Sequence, residues 1–315
     1  MATIGVALFG IGRVGQIHLG NLVANSDVTV RWLVDVEASR EKALELCSLY
    51  KLEGNTRFAT ADNYEEEVFS DASTHAVVIC TPTRFHEEAI KRAVKAGKDV
   101  FCEKPLSFTS DVVKSCYAEA QKHGRILFCA FNRRFDPDHV RVRDKLNSGQ
   151  LGTPRVVHYN ARDPKMPASY IKSSGGIFCD ACIHWLDYIP WLVGERPCSV
   201  VATGGRTSEA KDDYELADDV DSTLITLQFP SGAHAVLEMT RELPIDLGWC
   251  TYVRIEVVGT KDTYFAHKVG MDTLSTVAMD GTGEETKSKL NFWSSYKLEM
   301  DCFVRVLQGK IIVGV

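Results

Sequence analysis

The chain has 315 residues, of which 45% are hydrophobic and 25% charged, so it can bury one large core or two ordinary ones. Its net charge is −6, and its lysines and arginines are scattered, which argues against nucleic acid or an anionic membrane as a partner. No stretch approaches the roughly 20 apolar residues of a membrane span. The ten cysteines lie in apolar segments of a large chain, so we expect reduced thiols and a cytoplasmic location.

The first part of the chain alternates between short apolar strands and helices. The predicted strands are Thr3–Phe9, Val28–Val34, Ala76–Cys80, Asp99–Cys102 and Leu127–Ala130, and the predicted helices include Glu37–Tyr50, His86–Ala96 and Val112–His123. Strands this uniformly apolar are typical of a parallel sheet that is buried on both faces. The pattern predicts an α/β Rossmann domain with a doubly wound sheet over residues 1–123.

After Gly152 the strands alternate apolar and polar residues. They are predicted at Arg155–Arg162, Cys198–Gly204, Ser222–Phe229, Ala233–Glu242 and Tyr252–Val258. Gly176–Val193 is the one obvious helix, and Ser208–Asp221 is acidic enough to predict a mobile loop. Residues 124–290 are therefore predicted to form an α+β domain with an open, mostly antiparallel sheet, for substrate binding and oligomerisation.

A glycine-rich turn follows the first strand. Gly10, Gly12 and Gly15 form G-x-G-x-x-G between a strand and a helix, where a pyrophosphate can approach the backbone and face the helix N-terminus. Asp35 ends the second strand at about the 20-residue offset of an acid that binds the ribose hydroxyls. This predicts NAD, and Arg40 keeps NADP open as an alternative. A purely structural turn with a solvated Asp35 is the less favoured interpretation.

Two further segments lie where strands of the parallel sheet end. Thr81-Pro82-Thr83 follows one strand, at the sheet edge where doubly wound folds place ligand loops. The strand Asp99–Cys102 runs into Glu103, Lys104 and Pro105, which places a lysine at the same edge. By composition alone, a surface lysine paired with Glu103 is the favoured interpretation.

The helix of the second half carries three titratable side chains. Asp180, His184 and Asp187 are spaced i, i+4 and i+7, so a regular helix places them on one face. Burying them on an apolar helix is costly without a purpose, although a lone histidine is usually a packed one. Cys179 and Cys182 form C-x-x-C, but no second pair completes four ligands, so we predict helix packing and no metal.

The chain resembles the Gfo/Idh/MocA oxidoreductases over nearly its whole length, most of all inositol 2-dehydrogenases. The segments that carry the resemblance are Gly10–Gly15, Thr81–Thr83 with His86, Ala96–Lys98 through Glu103-Lys104-Pro105, and Gly175-Gly176 through Asp187. The resemblance implies that Lys104, Asp180 and His184 are the catalytic residues. We expect His184 to act as the general acid/base, Asp180 to orient it, and Lys104 to bind the reacting oxygen of a secondary alcohol.

The resemblance extends these predictions to binding residues. The predicted cofactor contacts are Gly10, Gly12, Arg13, Val14, Gly15, Asp35, Arg40, Thr81, Pro82, Thr83, His86, Glu103 and Lys104. The predicted substrate contacts are Asn132, Arg133, Asp163, Asp187 and Tyr252. His184 is followed by Trp185, where bacterial inositol dehydrogenases usually have aspartate, so the pocket and its preferred polyol stay open.

The leading prediction is an NAD-dependent dehydrogenase of a cyclic polyol or sugar, working as a homodimer or homotetramer. The alternatives are an NADP-dependent sugar or trans-dihydrodiol dehydrogenase and a non-catalytic dinucleotide-binding regulator. Residues 291–315 are expected to return towards the Rossmann domain. Their Phe303–Gly309 segment matches one that usually continues into another helix, so we expect a truncated C-terminal segment.

Overall fold

The computed structural model describes residues 3–242, 252–269, 276–279, 286–288 and 294–311. The chain forms two compact units, one of residues 1–132 with 296–315 and one of residues 133–295. Among the described residues, no helix has the length and apolar character that crossing a membrane requires. Every cysteine in these residues is a free thiol.

The first unit is built on a six-stranded parallel sheet. Its strands are β1 (Ile4–Phe9), β2 (Val28–Asp35), β3 (Arg57–Thr60), β4 (Ala76–Ile79), β5 (Asp99–Glu103) and β6 (Leu127–Ala130). Its first four helices are α1 (Arg13–Val23), α2 (Arg40–Leu49), α3 (His86–Lys95) and α4 (Ser110–Lys122). The strand order is β3-β2-β1-β4-β5-β6, which confirms the predicted doubly wound Rossmann sheet.

Burial explains why these strands could be recognised. All four residues of β4 are buried, as are five of the six residues of β1, because helices cover both faces of a parallel sheet. β6 pairs with β5 in parallel register, so its residues belong to the first unit. The boundary between the units therefore follows Asn132 rather than residue 123, because the sheet needs its sixth strand.

The second unit contains an eight-stranded sheet and several helices. Its strands are β7 (Pro154–Arg162), β8 (Ser199–Gly205), β9 (Ser222–Gln228), β10 (His234–Thr240), β11 (Tyr252–Gly259), β12 (Thr263–Val269), β13 (Thr276–Met279) and β14 (Thr286–Ser288). Its helices are α5 (Pro137–Asn147), α6 (Ala168–Ser173), α7 (Ile183–Val193) and α8 (Lys211–Leu216). A last helix, α9 (Ser294–Leu307), belongs to the first unit from Tyr296 onward.

The order of this sheet is β14-β13-β12-β11-β7-β10-β9-β8. All its pairs are antiparallel except β7 with β10, which run parallel, so the sheet is open and mostly antiparallel, as predicted. One face packs on α7, whose Trp185, Tyr188 and Ile189 join the buried core. The ends of β7 and β10 and the start of β11 lie at one edge, since Arg162 pairs with both Thr240 and Tyr252.

Several elements differ from the sequence expectation. Gly176–Val193 is not one regular helix: a π-helical turn (Phe178–Cys182) precedes α7. The segment predicted as a mobile loop, Ser208–Asp221, contains α8, because Tyr214 is fully buried and anchors it. The sequence patterns also do not predict α5 or the six-residue helix α6.

Candidate active site

The glycine turn of the first unit has a shape that only glycine permits. Gly10 has φ +88°, and a Cβ on Gly15 would lie 2.0 Å from the carbonyl oxygen of Gly10. A Cβ on Gly12, by contrast, would meet nothing within 4 Å. No side chain caps the start of α1, and no acidic residue lies in its first turn, so its backbone N–H groups can receive an anion. The turn therefore fits a dinucleotide pyrophosphate.

Asp35 lies against this turn at the end of β2. Its Oδ2 accepts a hydrogen bond from the N–H of Ile11 at 2.8 Å, and its Oδ1 accepts one from the Ser39 hydroxyl at 3.2 Å. Arg40 is engaged elsewhere, because its guanidinium donates two hydrogen bonds to the carboxylate of Glu37. The carboxylate is thus next to the glycine turn, where it can meet ribose hydroxyls, and the cation that could attract a 2′-phosphate is paired.

His86 ties together two loops at the carboxyl edge of the parallel sheet. It is buried, and its two ring nitrogens lie 2.9 Å from the carbonyl oxygen of Pro105 and 2.7 Å from that of Thr81. Burial lowers the pKa of His86, against the two carbonyl groups, which favour the protonated ring. Thr83 begins a short 3₁₀ turn just before α3. His86 therefore supports the predicted cofactor loop from within, and its contact with the cofactor stays a prediction.

Lys104 lies between two anchored residues. The carboxylate of Glu103 accepts a hydrogen bond from the backbone N–H of Lys104 at 3.2 Å and lies 2.7 Å from Nε2 of the fully buried His18. The carbonyl group of Pro105 is held by His86. The lysine is thus fixed through its neighbours on both sides, at the edge where the parallel strands end.

In the second unit, Asp180 lies in the π-helical turn and is buried. Its Oδ1 accepts a hydrogen bond from the Tyr170 hydroxyl at 2.8 Å, and its Oδ2 lies 2.7 Å from the guanidinium of Arg241. Burial and the nearby carboxylate raise the pKa of Tyr170 far above its usual value, so the hydroxyl stays protonated and donates. Asp180 is therefore bound by one neutral and one cationic donor.

Asp187 is paired within the protein. Its carboxylate receives two hydrogen bonds from Arg134, at 2.6 and 2.7 Å. Burial raises the pKa of Asp187 despite this cation. His184, one turn earlier in α7, is partly buried and lies beside the ring of Trp185, with 5.9 Å between ring centroids. The predicted substrate contact Asp187 thus already has a fork-shaped partner.

A short 3₁₀ helix, Asn132–Phe135, crosses the boundary between the two units along the chain. Asn132 is assigned to the first unit and Arg133 to the second. Arg133 is buried, and its guanidinium lies 4.8 Å from the ring of Trp185. Trp185 itself packs against Tyr159, with 4.1 Å between ring centroids. The tryptophan that replaces an expected acid therefore belongs to an aromatic core cluster.

The remaining predicted substrate residues lie at the sheet edge where β7 ends. Asp163 follows β7 directly, and its backbone N–H donates to the carbonyl oxygen of Thr240 at 2.9 Å. Tyr252 begins β11, and the guanidinium of Arg162 lies 5.2 Å from its ring. The topology thus brings Asp163 and Tyr252 to one edge, together with the strand end that precedes Arg241.

Both cysteines of the C-x-x-C pair lie in the π-helical turn Phe178–Cys182. Burial raises the pKa of Cys179 and raises that of Cys182 to about 12, so both thiols are protonated at neutral pH. In the part of the chain that the structure describes, no group of three metal-ligating side chains comes together.

Sequence reasoning did not find Arg241, Tyr170, Asp219 or His18. Arg241 carries a usable signal, since it is a charged residue directly after a strand whose inward positions are apolar. The other three lie in polar or helical segments, where only tertiary structure distinguishes a partner from a solvated side chain.

Two family models cover most of the chain. Residues 4–131 match the model described as an oxidoreductase family with an NAD-binding Rossmann fold, and residues 139–265 match the GFO/IDH/MocA C-terminal domain. The chain is 32% identical to myo-inositol 2-dehydrogenase of Thermotoga maritima over 95% of its length and 87% of that protein. It is 30% identical to scyllo-inositol 2-dehydrogenase (NAD(+)) of Bacillus subtilis over 96% of its length and 86% of that protein.

A solved structure agrees with these matches. The crystal structure of a myo-inositol dehydrogenase from Corynebacterium glutamicum superposes with a TM-score of 0.81 at 26% identity, covering 98% of this chain and 90% of that one. The glycine turn, Asp35 and the strand order are those of an NAD-binding Rossmann domain. The chain therefore belongs to the Gfo/Idh/MocA oxidoreductases and is an inositol dehydrogenase-like member with an NAD-binding Rossmann fold.

Proposed function

We propose that this protein oxidises a secondary hydroxyl group of a cyclic polyol with NAD, as an inositol 2-dehydrogenase-like enzyme. The observation that carries the proposal is the anchoring of Lys104 between Glu103 and Pro105, at the ligand-binding edge of an NAD-binding sheet. The relatives named as inositol 2-dehydrogenases support the substrate class. The alternative, a surface lysine paired with Glu103, does not explain why buried histidines hold both of its neighbours.

The reaction requires the alcohol oxygen to lose a proton as its carbon loses a hydride. When bound, NAD supplies the nicotinamide ring that accepts the hydride. His184 takes the proton as the general base, since an imidazole titrates near neutral pH. Asp180 stabilises the resulting imidazolium, and the ammonium group of Lys104 binds the developing alkoxide.

Selection among polyols depends on hydrogen-bonding partners for the hydroxyl groups that do not react. Asn132, Arg133, Asp163 and Tyr252 are the proposed partners, and Asp187 acts through Arg134. A sugar that lacks one of these hydroxyl groups, or presents it in the wrong orientation, leaves a buried polar group of the protein unpaired. The site therefore discriminates against such a sugar. We also propose a homo-oligomer and a cytoplasmic location, as composition and the open sheet predict.

The test offers NAD and NADP separately with myo-inositol, scyllo-inositol, glucose, xylose and a trans-dihydrodiol, and follows formation of the reduced cofactor by its absorbance. We expect turnover with NAD and a cyclitol. Lys104→Met and His184→Gln should each lower kcat by about 10²- to 10⁴-fold, the usual contribution of acid–base catalysis. The matched control is Lys114→Met, an exposed lysine in α4 whose side chain is 76% accessible.

The two alternatives give different results in the same assay. Turnover with NADP and an aldose or dihydrodiol, and none with NAD, would show that the proposed cofactor and substrate are wrong. The proposed catalytic residues would still stand. No turnover with any substrate, combined with a rise in Tm on adding NAD, would favour a non-catalytic binder. Full activity in Lys104→Met would disprove the proposed mechanism.

A further inference from the structure

Arg241 is the largest fully buried side chain in the described part of the molecule. It directly follows β10, and its backbone N–H donates to the carbonyl oxygen of Asp221 at 2.8 Å. Its guanidinium spans two acids: one nitrogen lies 2.7 Å from Oδ2 of Asp180, and another lies 3.3 Å from Oδ2 of Asp219. A buried arginine is costly unless both its charge and its N–H groups have partners, so its place in the fold depends on this pair.

The second acid holds the start of the same helical segment. Oδ1 of Asp219 accepts a hydrogen bond from the backbone N–H of Ile177 at 2.9 Å, just before the π-helical turn. Gly176 approaches this carboxylate so closely that an added Cβ would lie 3.1 Å from it. Arg241 is thus connected to the turn twice, directly through Asp180 and indirectly through Asp219.

The charges around Asp180 make this cation important. Besides Arg241, the ionisable groups near Asp180 include Tyr170, Asp219, Asp163 and Cys182, with His184 four residues further along the chain. Arg241 therefore brings positive charge to both Asp180 and Asp219. The next residue, Glu242, accepts hydrogen bonds from the Tyr214 hydroxyl at 3.1 Å and from the N–H of Met166 at 3.3 Å, which fixes the strand end in place.

We propose that Arg241 is a positioning residue for the dehydrogenase reaction: it fixes the carboxylate of Asp180 and keeps it ionised, so that Asp180 can support His184 during proton transfer. This inference rests on the proposed function, in which Asp180 and His184 act on the substrate proton. Tyr170 and Arg241 each take one lone pair of a different oxygen of Asp180.

The experiment compares Arg241→Met, Arg241→Lys, Asp180→Asn and the double variant Arg241→Met/Asp180→Asn by kcat, KM and the pH profile of kcat/KM, with NAD and myo-inositol. Arg241→Met should lower kcat on the order of 10²-fold, the cost of a misplaced catalytic group. Arg241→Lys should recover part of this loss, because it keeps the charge but not the two-pronged geometry. NAD affinity should not change, and Arg155→Met, an exposed arginine in β7, is the control.

Two readouts separate positioning from a general structural role. In Arg241→Met the acidic limb of the pH profile should move to higher pH, because a carboxylate without its cation takes up a proton more readily. In the Asp180→Asn background, Arg241→Met should add little further loss of kcat. The inference would be overturned if the acidic limb of the pH profile did not move and if Arg241→Met lowered kcat equally with Asp180 and with Asn at position 180.

The outcomes also separate this inference from the proposed function. Full kcat in Asp180→Asn would remove Asp180 from the mechanism, and the proposed catalytic set would fail regardless of Arg241. A large loss in Asp180→Asn with normal kcat in Arg241→Lys and Arg241→Met would overturn the positioning role alone. If Arg241→Met does not fold, Arg241→Lys decides, since an unchanged kcat and pH profile there contradict the proposal.

Discussion

We propose that Asp35 and Glu37 both contribute to the selection of NAD over NADP. Asp35 presents a carboxylate beside the glycine turn, where it repels a 2′-phosphate, and Glu37 occupies the guanidinium of Arg40. Arg40 also lies over the ring of Phe58, at 4.7 Å from its centroid. Arg40 thus already lies near the end of β2. Its ion pair with Glu37, and not its position, keeps it from binding a 2′-phosphate.

Changing both acids should therefore open the site to NADP. In Asp35→Ser/Glu37→Gln we expect the ratio of kcat/KM for NADP to that for NAD to rise on the order of 10-fold or more, because a repulsive charge is lost and an arginine is released. Glu37→Gln alone should have a smaller effect, since its ion pair is exposed. Glu41→Gln, an exposed acid in α2, is the control. An unchanged ratio in the double variant would contradict this division of roles.

At the residue scale, sequence patterns identify candidate site residues better than they identify the residues to which these side chains are hydrogen-bonded. Asp35 could be recognised because an acid at the end of a second strand has a known spacing from the glycines. The spacing along the helix drew attention to Asp180 and His184, but their predicted catalytic roles rest on the family resemblance. The contacts of Asp180 with Tyr170 and Arg241 cannot be predicted from the sequence, because these residues lie 10 and 61 positions away in the chain.

At the scale of elements, two glycines between β1 and α1 are needed for different reasons: Gly15 for packing within the protein and Gly12 for space next to the cofactor. Gly15→Ala should destabilise the first unit, since its Cβ would overlap the carbonyl oxygen of Gly10. Gly12→Ala should leave the Tm of the free protein unchanged, because its Cβ meets no protein atom, and yet weaken NAD binding by filling space that the pyrophosphate needs.

Thermal melts of both variants with and without NAD test this contrast. The expected result is a lowered Tm for Gly15→Ala alone, and a reduced NAD-induced rise in Tm for Gly12→Ala. Gly54→Ala is a useful comparison for the cost of substituting glycine at positive φ, since it lies in open space at φ +82°. A normal NAD response in Gly12→Ala would place the pyrophosphate elsewhere.

Elements with strong periodic or apolar patterns were predicted within a residue or two of their ends. β1, β4 and β6 are examples, because burial on both faces leaves no polar position in the strand. Short elements were missed for the opposite reason. α6 and α8 have six residues each, too few for a helical period to register, and the π-helical turn breaks the spacing that a regular helix would give.

At the scale of the whole molecule, Asp71 links stability to pH. Burial alone would raise its pKa, but hydrogen bonds from Ser73 and Trp32 and the nearby Arg57 outweigh this and lower the pKa to about 2. Its side chain is 13% accessible. Because the folded pKa lies below the usual value, the stabilisation is complete above about pH 4 and is lost as pH falls towards about 2.

Asp71→Asn should therefore lower the free energy of unfolding by about 2 kcal/mol at neutral pH, the equivalent of this pKa shift. The difference from the unmodified protein should shrink as pH falls through about 2 and approach zero only below that pH, where both side chains are uncharged. Urea unfolding across this range is the measurement. Asp111→Asn, whose side chain is 91% accessible, is the control. A difference that does not depend on pH would mean that the hydrogen-bond geometry, not the charge, stabilises the fold.

The central position of β7 has a consequence for how the protein is made. β7 leaves the ribosome well before either of its neighbours, since β10 begins at His234 and β11 at Tyr252. Both of its edges therefore stay unpaired while the segment from Asp163 to Ala233, roughly a quarter of the chain, is synthesised. Unpaired edges invite aggregation. Folding of this sheet depends on contacts distant in sequence, so it should be slow and largely post-translational. A nascent chain arrested before β10 would be the species that most needs a chaperone.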